Sequence, residues 1–155
     1  MKYISNNRLF DFEFHDAVLT LESYIENRLI VHADFLNIRK DAEQNPFGTD
    51  MEITSARLSF EEFTIQSFEL LRTWKQDENG QLYTDDPQIV YSGDEGKSCF
   101  IEQIRKGITV FDLGKKDEAV YYLDASSQPV FTVCFSFENV LIEWDDYKKP
   151  AWYVR

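Results

Sequence analysis

Short runs in which apolar and polar residues alternate, each closed within a few residues by a turn signal, recur along this chain and confine it to folds built from strands. Phe10, Phe12 and Phe14 alternate with Asp11 and Glu13, the period of a strand with one wet and one buried face, and they are expected to open the domain. The runs Val18 to Ile25 and Leu29 to Ile38 are rich in β-branched and large apolar residues. Glu26-Asn27-Arg28 between them predicts a hairpin, with Asn27 taking the positive φ of the turn. Residues 39 to 50 carry charge, Asn45-Pro46 and Gly48 without either periodicity, and read as a surface loop.

Strand character resumes from Glu52 to Phe60 and from Phe63 to Trp74, and stops before the Asn79-Gly80 turn. Residues 81 to 98 read as loop around a short strand at Ile89 to Tyr91. Phe100, Ile101, Ile104 and Ile108 then recur at helical spacing, with Ser98 as cap and Gly107 as stop, while Cys99 to Ile104 also fits a strand. Ile108 to Leu113, Ala119 to Leu123 and Val130 to Phe137 follow as strands, and Val140 to Trp144 is expected to be the last. Together these runs predict a mainly β domain, an antiparallel two-sheet sandwich or roll of about 8 to 10 strands with at most one or two short helices, α+β being the alternative.

Leu58-Ser59-Phe60-Glu61-Glu62-Phe63-Thr64-Ile65-Gln66 lines up with Phe135-Ser136-Phe137-Glu138-Asn139-Val140-Leu141-Ile142-Glu143. Each copy ends a strand at Ser-Phe-Glu and restarts two residues later. The expectation is one domain over residues 1–155; the likeness reads either as a duplication of two β-meanders, 10–75 and 98–147, or as coincidence, since Ser-Phe-Glu followed by an apolar alternation is common in strands.

Charge narrows the ligands. Twenty-eight acidic residues against 16 basic ones leave a net charge of -12, a field that repels phosphate backbones and anionic lipids and steers cationic partners in. Nucleic acid and membrane are therefore not expected as partners. No run matches a signal peptide or the roughly 18 apolar residues of a membrane span, so a cytoplasmic location is expected. Cys99 and Cys134 are too few for a secreted disulfide framework and are expected as thiols.

Chemistry-bearing motifs are sparse. His15 beside Asp16 and His32 within a strand are the two histidines, and neither has the local ligand spacing of a zinc site. No nucleophile elbow, phosphate loop, dinucleotide fingerprint or calcium loop occurs. The acidic pairs Asp85-Asp86, Asp94-Glu95, Asp117-Glu118 and Asp145-Asp146 fall in turn-like stretches. No catalytic residue, metal or cofactor is assigned. The C-terminal stretch is unusual in keeping large aromatics, Trp144, Tyr147, Trp152 and Tyr153, where tails are polar. Either they close a sheet edge or they stand out as an interface anchor.

Phe14-His15-Asp16-Ala17-x-Leu19, the hairpin after it, the Ser-Phe-Glu step and the late Ile142-Glu143-Trp144-Asp145 together resemble small bacterial β-rich proteins, some of which are immunity proteins of polymorphic toxins. The resemblance implies a cytosolic inhibitor that binds a toxin and has no catalytic residues. The function expected is thus a non-enzymatic protein-binding domain, an immunity-type inhibitor of a basic toxin being one form of it, with His15, Asp16, His32, Trp144, Trp152 and Tyr153 as candidate binding residues. The alternative is a β-rich enzyme or small-ligand binder with a pocket between sheets keyed by His15, Asp16 or His32. Homo-oligomerisation through edge strands or the tail is a further expectation.

Overall fold

The computed structural model describes residues 1–154; Arg155, the last residue of the aromatic tail, lies outside the described residues. The chain is mainly β, and every strand pairing is antiparallel. The first part contains β1 (Tyr3–Asn6), a 3-10 turn (Leu9–Asp11), β2 (Phe12–Glu13), β3 (Val18–Ile25), β4 (Arg28–Asp34) and β5 (Asn37–Ile38). Next come β6 (Met51–Thr54), β7 (Ala56–Glu61), β8 (Thr64–Leu70), β9 (Lys75–Gln76), β10 (Leu82–Tyr83) and β11 (Val90–Ser92). Helix α1 (Gly93–Lys106) leads into β12 (Ile108–Lys115), β13 (Tyr121–Ala125), β14 (Phe131–Ser136), β15 (Asn139–Trp144) and β16 (Asp146–Pro150). The count exceeds the expected 8 to 10 because β1, β9, β10 and β16 fall outside the expected runs, and because the runs Leu29 to Ile38 and Glu52 to Phe60 each divide into two strands, β4 with β5 and β6 with β7.

Ten strands form one sheet in the order β1-β15-β7-β4-β3-β12-β13-β14-β8-β11, and β16-β6-β5-β2 form a second. β12 joins two halves of the large sheet: Ile108 and Thr109 pair with β3, and from Val110 onward the strand pairs with β13. The chain passes between the halves at two further places, β7 to β8 and β14 to β15. These passages are the two Ser-Phe-Glu segments, and they run antiparallel side by side, with Glu138 N–H donating to Glu61 O (2.9 Å). There Phe60, Phe63, Phe135 and Phe137 pack ring on ring, Phe60 of one half lying 6.4 Å from Phe135 of the other. α1 lies against β8 and β3 and adds Phe100 and Ile104 to the buried cluster, which runs on through Phe12, Ile38 and Ile53 of the second sheet.

Several local expectations are corrected. Phe10 to Phe14 is not one strand: Leu9–Asp11 is a 3-10 turn and only Phe12–Glu13 pairs, because burying Phe12 and Phe14 requires the alternation but no long ladder. In the β3–β4 hairpin the positive φ falls on Glu26 (55°), not Asn27. α1 begins five residues before Ser98, at Gly93, so Ser98 is interior; it does end at Gly107. Gly96 lies in the stretch expected as loop, yet a Cβ there would meet Tyr91 O at 2.9 Å, so it is the residue that lets the helix lie close to β11. Val140–Trp144 is not the last strand: the charged segment Asp146–Pro150 pairs with β6.

Candidate functional site

An open groove walled by exposed aromatic rings starts from a bulge. Val110 and Phe111 are adjacent apolar residues that break the period of two, and here β12 carries an extra residue, Phe111, between its paired positions Val110 and Asp112. The bulge leaves the Phe111 carbonyl outside the ladder. His15 fills the gap: its Nδ1 lies 2.7 Å from Phe111 O, and because a carbonyl only accepts, Nδ1 carries the proton and Nε2 is the unprotonated nitrogen of the neutral ring. The turn holding His15 is pinned by buried Phe14 and Ala17 and by Asp16 N–H donating to Val110 O (2.8 Å), with Asp16 itself at φ 69°. Asp16 Oδ2 lies 3.7 Å from His15 Nε2.

The tail supplies the opposite wall. Ala151 is buried and donates its N–H to Asp50 O (2.9 Å), and Tyr153 donates its hydroxyl to Asp50 Oδ2 (2.5 Å). Burial first, and then this bond to a carboxylate, push the Tyr153 phenol well above its usual range. With the chain tied on either side, Trp152 stands out 62% exposed, its ring 6.4 Å from that of His15; Phe111, 58% exposed, lies 5.5 Å from the same ring. Between these rings is an open groove of about 510 Å³ with Glu13, Asp50 and Asp112 against a single guanidinium, Arg39. Arg39 is already paired with Glu13 Oε2 (2.7 Å).

The outer faces of the two sheet halves differ in charge. On the first, His32, Arg57 and Glu143 stand in register on β4, β7 and β15. The Arg57 guanidinium reaches Glu22 (2.8 Å) and Glu143 (3.6 Å), and His32 Nε2 lies 3.2 Å from Glu22, so the row is compensated in part by a cation shared between its carboxylates. Arg57 accordingly holds the Glu22 carboxyl below the usual range. On the second, Asp112, Asp124, Thr132 and Glu69 stand in register on β12, β13, β14 and β8, and among the described residues no cation pairs with any of the three carboxylates. Asp112 and Asp124 are directly opposite, an arrangement that costs stability. Tyr122 lies across Gly114, where a Cβ would meet its hydroxyl at 2.6 Å, and so donates to Asp112 Oδ2 (2.8 Å); Thr132 donates to Asp124 (2.6 Å).

Of the residues singled out in sequence, the structure brings His15, Trp152 and Tyr153 to one groove, with Asp16 beside it. His32 belongs to the partly compensated row on the other half. Trp144 is 0% exposed, enclosed by Tyr3, Phe12 and Tyr147, and so is a core residue rather than a surface anchor. Sequence reasoning missed Phe111 and Asp112, for which the broken alternation at Val110-Phe111 was the available signal, and Asp50 and Arg39, which nothing local marks. Among the described residues no three His, Cys, Asp or Glu side chains are placed to hold a metal ion, and no helix is long and apolar enough to cross a membrane. Comparison with known proteins returns no matching family, no matching curated protein and no matching solved structure.

Proposed function

We propose that this chain is a non-enzymatic protein-binding domain that engages a basic partner through the groove face around Trp152, the role expected of an immunity-type inhibitor of a basic toxin domain. The observation that carries the reading is the exposure of Trp152 and Phe111 beside Asp50 and Asp112. Large aromatic rings grouped at the surface leave apolar area in water and are the residue type that dominates interface energy. A net charge of -12 supplies long-range attraction for a cationic partner. A small-ligand pocket between sheets has less in its favour, since the groove lies open on the surface and His32 takes no part in its lining.

The test is affinity capture from a lysate of the native cells with wild type and Trp152→Ala, at low and high salt. A basic protein retained by the wild type, lost by the variant and weakened by salt supports the reading. Identical captured sets from wild type and variant overturn it.

A further inference from the structure

We infer that the groove is an arginine subsite: the guanidinium of a partner arginine stacks on the indole of Trp152 and pairs with Asp112. The inference deepens the proposed function and rests on it.

The hydrogen bonds decide which carboxylate is available. Glu13 Oε1 accepts from His15 N–H and its Oε2 from Arg39. Asp50 Oδ1 accepts from Lys40 N–H and its Oδ2 from Tyr153. Asp112 accepts only at Oδ2, from Tyr122, and among the described residues no donor reaches its Oδ1. The groove thus offers one unengaged carboxylate oxygen, on a side chain whose orientation the Tyr122 hydroxyl fixes.

The acidic row gives that oxygen a cationic preference. Asp112 faces Asp124 across one strand spacing, about 5 Å, without a compensating cation, whereas on the other half the carboxylates of Glu22 and Glu143 share the Arg57 guanidinium. A repulsion left in the free protein is relieved when a positive group arrives. Arginine fits better than lysine because its planar, weakly hydrated guanidinium stacks on an aromatic face while its N–H fork meets a carboxylate, and lysine's ammonium is a compact, strongly hydrated point charge. The exposed rings favour the guanidinium, and the free oxygen of Asp112 sets where it pairs.

The probes are N-acetyl-arginine amide, N-acetyl-lysine amide and N-acetyl-citrulline amide, the last planar but uncharged, titrated into 15N-labelled protein. The indole N–H of Trp152 is followed, with Trp74 and Trp144 as internal controls. Arginine is expected to shift the Trp152 signal saturably, about three- to fivefold more tightly than lysine, with citrulline giving no saturable shift. Asp112→Asn should weaken arginine by about the same factor. Asp124→Asn should weaken arginine too while raising the melting temperature, a pairing of opposite effects that a purely structural role would not produce. Equal binding of arginine and lysine, an unaffected Asp112→Asn variant, or shifts confined to Trp74 would overturn the subsite. If Trp152→Ala still loses the captured partner in that event, the binding face stands and only the subsite falls.

Discussion

His15 donates its Nδ1–H to the carbonyl oxygen of Phe111 at 2.7 Å, and this bond satisfies the residue that the β12 bulge places outside the ladder. The same contact sets the His15 and Phe111 rings edge to face, so the bond that completes the sheet also builds the groove wall. His15→Ala should cost about 1 kcal/mol of stability, the worth of one ordinary hydrogen bond. It should also broaden the Phe111 amide resonance as the bulge loosens. Chemical unfolding with amide spectra checks both, and an unchanged midpoint with an unchanged Phe111 signal would show that the bulge holds itself.

Arg57 and Glu22 set the acid response of the first half. Arg57 donates to Glu22 at 2.9 Å and lowers its carboxyl pKa. A carboxyl depressed in the folded state stabilises above its unfolded value, near pH 4.3, and loses that contribution as pH falls through the folded value. In Arg57→Ala, Glu22 returns toward the ordinary range, so the stability gap between wild type and variant should be widest near neutrality and narrow between about pH 5 and 3. Unfolding midpoints measured across that range test the sign. A gap that widens on acidification would contradict the assignment.

Trp144 and Trp152 should separate cleanly by mutation. Trp144 is fully buried, so Trp144→Ala should cost about 3–5 kcal/mol, a large part of the stability of a typical domain. Trp152→Ala removes an exposed ring and should change stability by no more than about 0.5 kcal/mol. Thermal unfolding of both variants decides it, and a strongly destabilised Trp152→Ala would mean that the indole is a structural staple of the tail.

Much of the strand framework was legible because its faces differ. The hairpin of β3 and β4, the loop over residues 39 to 50, and β14 with β15 follow from alternation and turn residues alone. The same rule assigns Trp144, since Val140, Ile142 and Trp144 share one face of β15 and all are buried; its aromatic company near the end of the chain pointed elsewhere. β1 and β16 were not legible, because Tyr3 pairs with Trp144 and Asp146 with Thr54, and such distant partners leave no local signal. The start of α1 was hidden by Gly93, which takes a positive φ of 58° at the helix start, and by Gly96, whose small size serves the approach to β11. For the site, residue type was enough to pick out His15, Trp152 and Tyr153. Their convergence depends on the β12 bulge and on the tail's bonds to Asp50, which only the folded chain brings together.

The most direct test of the binding face is site-specific photo-crosslinking with benzoylphenylalanine in place of Phe111, which lines the groove and leaves the Trp152 indole intact, and separately in place of Ile25. Ile25 is exposed, but it lies at the far end of β3, about 23 Å of strand from the residue that follows the His15 turn. The account predicts that a basic protein from the native cells is captured at position 111 and not at position 25. Capture at position 25 alone, or at both positions equally, would contradict it.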